Sequence, residues 1–304
     1  MATLYTQADS NVRKTWVLMA TFFLVVTGLG WAISYILNAP EILWIAVILS
    51  VVMNIGSYWF SDKLVLSMTG AKPVTREQYP DLWNVTENLA ITAGLPMPKV
   101  YVVEDPSPNA FATGRDPEHA VVAATTGLLA ILNRTELEGV IAHELSHIKN
   151  RDMLVMTVVV VLIGFVTLLS DFFFRISLHG GNNNREGGGQ ARLIMVILGF
   201  VLALFAPLVA RLIQFAISRR REFLADASGA LLTRYPEGLA SALQKISAHV
   251  GPMKSANHAT AHLFIADPFD TEDQNTFSAW LTTLFMTHPP VEERVRALLG
   301  KQNQ

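Results

Sequence analysis

Four long apolar stretches divide the chain, and each has nearly the length of a membrane-spanning helix. The first two run from Thr15 to Leu37 and from Ile42 to Phe60, with a short polar loop between them. The other two run from Met153 to Ser170 and from Leu193 to Ser218, the last being interrupted by Arg211. About 20 mainly apolar residues are needed to cross a hydrocarbon core of ~30 Å. The pattern therefore predicts four transmembrane helices.

The composition supports a membrane protein and restricts its chemistry. Of 304 residues, 51% are hydrophobic and 16% are charged, whereas soluble domains have about 25% charged residues. A chain of this length could not bury four such helices in a soluble core, and the first stretch is too long for a cleaved signal peptide. A net charge of -2 without a basic patch argues against nucleic acid as a partner. Because the chain has no cysteine, a metal site would have to use His, Asp and Glu.

The positive charges at the helix ends predict the orientation. Short cytoplasmic loops are rich in Lys and Arg, and loop 38–41 has neither. Loop 171–192 has three, while eight lie on the opposite side, namely Arg13, Lys14, Lys63, Lys149, Arg151, Arg219, Arg220 and Arg221. Both termini and the stretch 61–152 are therefore predicted to be cytoplasmic, and loop 171–192 external.

The segments outside the membrane are expected to form one small α+β domain. A helix is predicted over residues 75–94, followed by strands at Lys99–Glu104, Asn109–Thr113 and His119–Thr125. The segment 219–304 is mostly helical in pattern. The expected fold is thus a predominantly α-helical, zincin-type catalytic domain of the gluzincin kind on a four-helix transmembrane anchor. The predicted parts are the N-terminal anchor 1–60, the first catalytic part 61–152, the second helix pair 153–218, and the second catalytic part 219–304.

The strongest chemical signal is the sequence His143-Glu144-Leu145-Ser146-His147. We expect it on a helix that begins at Thr135, where Thr135 and Glu138 would form a capping box. Two histidines four residues apart on a helix lie side by side, at a spacing that suits one tetrahedral zinc ion. Glu144 is then placed to take a proton from a water at the metal's open position. The motif predicts a zinc peptidase with one ion per subunit.

A catalytic zinc needs a third protein ligand. The elongated metzincin motif is excluded because Asn150 and Met153 occupy the positions of its Gly and its third His. Other candidates are the pair His258 and His262, His288, and Glu222, which we favour. Glu222 follows the fourth apolar stretch as closely as His147 precedes the third, so antiparallel packing of these helices would bring the two together. Asp226, one turn further, would then hold the imidazole of a ligand.

Three segments together resemble one known family. The motif helix, the sequence Asn109-Ala110-Phe111-Ala112-Thr113-Gly114 and the sequence Arg221-Glu222-Phe223-Leu224-Ala225-Asp226 are similar to those of the HtpX family of bacterial heat-shock membrane metallopeptidases, which are related to the CAAX prenyl proteases. The resemblance covers nearly the whole chain. It implies a plasma-membrane enzyme that degrades misfolded or damaged membrane proteins at the cytoplasmic face. A homo-oligomer is left open.

The resemblance also implies roles for residues outside the motif. Asn109 and the strands after it would border the substrate cleft. His288 and Arg294 are similar to a pair in the prenyl proteases that steadies the oxyanion, although an ordinary helix start explains them equally well. We further expect the 119–125 strand to be an edge strand that pairs with the substrate backbone.

Two other functional classes share parts of this sequence pattern. An intramembrane zinc protease would carry the motif inside an apolar span, but Lys149, Arg151 and Asp152 follow it closely. A non-enzymatic membrane scaffold with regulatory metal ligands would leave Glu144 and the 61–152 segment unexplained.

The charge distribution yields a topology prediction. A reporter fused after Gln304 should register as cytoplasmic and one inserted near Asn183 as external, because the positive residues favour the cytoplasmic side. Paired phosphatase and fluorescent-protein fusions would measure this. The reverse pattern would place the motif outside the cell and contradict the orientation.

Overall fold

The computed structural model describes residues 4–162, 219–249, 253–255, 260, 263–266 and 289–300. Its helices are α1 Leu4–Leu37, α2 Glu41–Trp59, α3 Ser61–Thr69, α4 Pro80–Ala93, α5 Thr126–Ile131, α6 Arg134–Lys149, α7 Asp152–Leu162, α8 Arg219–Thr233, α9 Pro236–Ser247 and α10 Val291–Leu298. The strands are β1 Lys72–Pro73, β2 Lys99–Val103, β3 Ala110–Thr113 and β4 Val121–Thr125. The described residues are therefore mostly helical with one small sheet.

Helices α1 and α2 form an antiparallel hairpin with little protein around it. The spans Ala8–Ile36 and Glu41–Trp59 are long and apolar enough to cross a membrane, and only 11% and 17% of their most apolar windows are buried. Tryptophans lie near both ends of the hairpin, with Trp16 and Trp59 at one end and Trp31 at the other, as is typical of helices whose ends meet the membrane–water interfaces. The third predicted span is described only to Leu162. The rest of that span, the fourth span and the external loop lie outside the described residues.

The sheet has the order β1-β2-β4-β3 and lies between two helical layers. β2 and β4 are parallel, whereas β3 runs antiparallel to β4 with Ala112 opposite Val122. Alternate residues face opposite sides, so Ala112 joins the core formed with α4, α6 and α9, while Phe111 packs with α3 and α7. The motif helix α6 is thus held under the sheet by a continuous core.

The expectation that residues 119–125 form an edge strand is wrong. β4 pairs with β2 on one side and with β3 on the other, and all five of its residues are buried. The uniformly apolar run Val121 to Ala124 is typical of an interior strand. Among the described strands, β3 is the edge beside the motif helix.

The predicted capping box is displaced by two residues. Asn133, and not Thr135, caps α6: its side-chain oxygen accepts a hydrogen bond from the Glu136 amide, and the Glu136 carboxylate accepts one from the Asn133 amide. Glu136 also accepts bonds from Ser241 and Lys245 of α9, so this cap ties two helices together. Glu138 instead forms a surface ion pair with Arg134. The tertiary partners of Glu136 explain why the earlier cap is used.

Close packing of α6 on α9 predicts the effect of one substitution. A Cβ on Gly139 would lie 2.7 Å from the Leu239 backbone nitrogen, too near for any side chain. We expect Gly139→Ala to push the two helices apart and to destabilise the protein by about 1–3 kcal/mol, as overpacking does. Thermal unfolding in detergent measures this, with Gly56→Ala as the control because nothing lies within 4 Å of that position. Equal melting temperatures for Gly139→Ala and the parent would contradict the packing.

Candidate metal centre

Three buried side chains from two helices converge on one point. His143 and His147 lie one turn apart on α6, and their Nε2 atoms are 3.1 Å apart. Glu222 of α8 places Oε2 3.7 Å from His143 Nε2 and Oε1 3.7 Å from His147 Nε2. All three residues are at most 5% exposed. Helix α8 can approach so closely because Gly229 has no side chain, and a Cβ there would lie 3.0 Å from the His143 backbone nitrogen.

A carboxylate lies behind each histidine and fixes its orientation. Asp226 Oδ1 is 2.9 Å from His143 Nδ1, and Asp152 Oδ2 is 3.3 Å from His147 Nδ1. Since a carboxylate accepts hydrogen bonds, each Nδ1 carries the proton and each Nε2 lone pair points toward the shared centre. The centre is therefore lined by two nitrogen acceptors and one carboxylate.

This arrangement stabilises one positive charge in the centre, on His147 and not on His143. Burial lowers the pKa of His143 to about 4. Burial acts in the same direction on His147, but the Asp152 hydrogen bond and the charge of Glu222 outweigh it and raise the pKa of His147 to about 9. The same group of acceptors that holds a proton here can hold a metal cation in its place.

The spacing of the three ligand atoms fits one tetrahedral ion. All three lie within 4.8 Å of one another. Ligand atoms at 2.0–2.2 Å from a common tetrahedral metal are about 3.3–3.6 Å apart. The separations of 3.1 Å between the two Nε2 atoms and of 3.7 Å from each Nε2 to one Glu222 oxygen bracket that range. His and carboxylate ligands of this kind suit zinc.

The described residues contain a second group with metal-binding residue types. Asp116, Glu118 and His119 lie in the turn between β3 and β4 and are largely solvent-accessible. Asp116 caps the turn through the His119 amide and also bonds the His119 ring, whose other nitrogen is 2.7 Å from Arg115. These hydrogen bonds explain why the three side chains lie close together, since they stabilise a capped turn.

Glu144 lies on α6, the helix of His143 and His147, and faces the edge of the sheet at β3. Burial raises the pKa of its carboxyl to about 7, and the charge of Glu222 acts in the same direction. The backbone of Ala112 in β3 lies near the carboxyl and acts in the opposite direction on this pKa. A carboxyl with a pKa near neutrality is well matched to accept and return a proton.

Arg294 supports the metal centre from behind. Its guanidinium donates to both oxygens of Asp226, at 2.9 and 2.7 Å, and to the Ile265 carbonyl at 2.9 Å. Burial raises the pKa of Asp226, but these bonds and the charge of Arg294 outweigh it and lower that pKa. With 1% exposure, Arg294 is placed to hold Asp226 and thereby His143. The oxyanion role implied by the resemblance would instead need a guanidinium that faces the substrate.

The remaining predicted site residues fall in different parts of the chain. Asn109 is buried at the start of β3, where its side chain pairs with both the amide and the carbonyl of Ala266. This contact and the bond from the Ile265 amide to the Ala110 carbonyl shape one end of the sheet edge. His258, His262 and His288 lie outside the described residues.

Sequence reasoning missed Asp152, the partner of His147. In the sequence, its charge argues only against a motif inside an apolar span. The chain returns toward the metal centre because Arg151 adopts a left-handed conformation with φ 55°, which costs a non-glycine residue about 1–2 kcal/mol. Such strained positions are typical of functional sites.

Comparison with known proteins identifies the family. The family described as peptidase family M48 matches residues 76–302. The Protease HtpX homolog of Caldanaerobacter subterraneus subsp. tengcongensis is 45% identical over 300 residues, covering 97% of each chain. The chain belongs to peptidase family M48 and, within it, to the HtpX proteases. This confirms the resemblance and establishes an enzyme, a membrane metallopeptidase that acts on proteins.

Other HtpX relatives match over similar lengths. The Pyrococcus furiosus homologue is 48% identical over 93% of this chain and 94% of its own. The homologue of Tropheryma whipplei strain Twist is 44% identical over 99% of both chains. The crystal structure of S. mikatae Ste24p covers 97% of this chain and 67% of its own, with a TM-score of 0.50 and 18% identity. At that identity, the likeness to Ste24p supports the M48 fold alone.

The ligand geometry predicts a ranking of metal affinities. We expect Glu222→Gln to weaken zinc binding about 100-fold or more, because it removes a charged ligand. Asp226→Asn and Asp152→Asn should each weaken it about 10-fold, as changes behind a ligand do. Competition with a chelator measures the affinities, with the exposed Glu237→Gln as control. Loss of metal in His258→Ala or His262→Ala, with retention in Glu222→Gln, would contradict the ligand assignment.

Proposed function

We propose that this HtpX protease is a zinc endopeptidase in which His143, His147 and Glu222 hold the ion and Glu144 is the general base. The observation that carries the proposal is the convergence of three buried ligand atoms within 4.8 Å, next to a glutamate on the same helix. Bound there, zinc would supply a Lewis acid and a water nucleophile active at neutral pH.

The protein's own residues perform the proton transfers. The Glu144 carboxylate accepts a proton from the attacking water and returns it to the departing amine. Its pKa of about 7 suits both transfers. Asp226 and Asp152 keep the imidazoles in the orientation that ligation requires. His288 is retained as the donor that would stabilise the oxyanion.

The substrate backbone would lie along the edge of β3. The Thr125 amide donates to the Asn109 carbonyl, so in the alternating antiparallel pattern Phe111 and Thr113 form the next bonds to β4 and the amide and carbonyl of Ala112 point outward. An extended peptide that pairs with this edge would be held by main-chain bonds, with little demand on its sequence. Loose specificity suits misfolded or damaged membrane proteins, and we propose these as substrates.

The active site is proposed to face the cytoplasm close to the bilayer. The charge distribution supports this orientation, and the hairpin of α1 and α2 supports the proximity. Arg115, in the turn after β3, lies 4.6 Å from the ring centre of Trp59 at the end of α2. Tryptophan is enriched at membrane–water interfaces, so this cation–π contact would hold the substrate-binding edge near the lipid headgroups.

A single substitution tests the base. We expect Glu144→Gln to lower the rate at which an unfolded reporter is cleaved about 10²-fold or more, because the amide cannot accept the proton. Zinc content should equal that of the parent, since the three ligands remain. Glu138→Gln, on the same helix and away from the ligands, is the matched control.

Chelation followed by restoration of single metals completes the experiment and identifies the ion. Activity should vanish with the chelator and return with zinc. Comparable peptide hydrolysis by Glu144→Gln and the parent would contradict the role of the base. Recovery with another metal but not with zinc would contradict the choice of ion.

A further inference from the structure

The first membrane helix carries a buried polar residue at its cytoplasmic end. Asn11 of α1 is 2% exposed, although only 11% of the most apolar window of this span is buried. Its side-chain amide donates to the Asn150 carbonyl at 2.9 Å and to Asp152 Oδ1 at 2.6 Å. Both amide protons are therefore used on the two residues that flank Arg151, just beyond the motif helix.

Asp152 connects this contact to the metal centre. Its Oδ2 faces His147 Nδ1 at 3.3 Å, while its Oδ1 accepts from Asn11 and from Arg221 at 2.9 Å. Arg221 directly precedes Glu222 on α8. The carboxylate that orients one metal ligand is thus held by α1 on one side and by the helix of another ligand on the other.

The position of α1 consequently affects the geometry of the centre. A carboxylate held by two donors at one oxygen has little freedom to rotate away from the imidazole at the other. Without Asn11, the Asn150 carbonyl at the end of the motif helix would also lose its partner. Oδ1 of the Asp152 carboxylate would then be held by Arg221 alone.

We propose that Asn11 is a positioning residue of the metal centre, so that the first membrane helix supplies part of the active site as well as an anchor. The inference rests on the proposed function, because it requires His147 to be a ligand. Asn11 is remote from the motif in sequence: four helices, α2 to α5, lie between α1 and the motif helix, and 141 positions separate Asn11 from Asp152.

A matched control is available on the same helix. Thr15 lies one turn after Asn11, is 1% exposed, and donates its hydroxyl to the Asn11 main-chain carbonyl at 3.0 Å. Among the hydrogen bonds of the described residues, its side chain forms none with Asp152, Arg221 or the proposed ligands. Thr15→Ala therefore disturbs the same packed face of α1 without touching Asp152.

The experiment compares Asn11→Ala, Thr15→Ala and His147→Ala in the full-length protein in detergent. Zinc affinity is measured by chelator competition, and ligand geometry by the visible spectrum of the cobalt-loaded protein. We expect Asn11→Ala to weaken zinc binding about 3- to 10-fold, less than the substitution of a direct partner of a ligand, and to shift the cobalt spectrum. Thr15→Ala should change neither, even where both variants lower the melting temperature.

Each outcome separates the two proposals. If His147→Ala binds zinc as the parent does, the proposed ligand set fails, and the role of Asn11 fails with it. If His147→Ala loses zinc while Asn11→Ala matches Thr15→Ala in affinity and spectrum, only the positioning role is overturned. Should Asn11→Ala not fold, Asn11→Leu, which keeps the volume of the side chain and removes its donors, decides the question. An affinity equal to the parent's in that variant overturns the proposal.

Discussion

The structure depends on two buried carboxylate–imidazole pairs that direct two nitrogen lone pairs toward one point. Asp226 and Asp152 act from opposite sides of the centre, and each is itself held by an arginine, Arg294 and Arg221. A buried charge is costly unless it is paired and hydrogen-bonded, so neither carboxylate could remain there without its arginine. The proposed metal ligands are thus the innermost members of two ion-pair chains that begin on other helices.

These chains explain why the catalytic unit is assembled from distant segments. Arg294 belongs to α10 and also binds the Ile265 carbonyl, so the Asp226 chain joins the C-terminal helix to the segment beside β3. The Asp152 chain joins α8 to α1, which is the first membrane span. Ligand orientation, substrate edge and membrane helix therefore belong to one buried polar network.

The sequence predicted the local parts of this protein well. The apolar lengths located α1 and α2. The helix predicted over residues 75–94 ends close to its predicted end, at Ala93 before a left-handed Gly94, but it begins at Pro80 and not at residue 75. The spacing of His143 and His147 placed both on one helical face, because that periodicity is a local property of the chain. Glu222 was reached only by assuming how two helices pack.

The errors arose where tertiary partners choose between local alternatives. Asn133 and Thr135 are both acceptable helix caps, and Ser241 and Lys245 decide between them by binding Glu136. The 119–125 strand could pair on one side or on two, and only the position of β2 determines which. Asp152 shows the same dependence, since its local sequence resembles a membrane flank. An active site built from ion-pair chains places its supporting residues wherever a neighbouring helix offers a partner, and sequence spacing alone does not encode that choice.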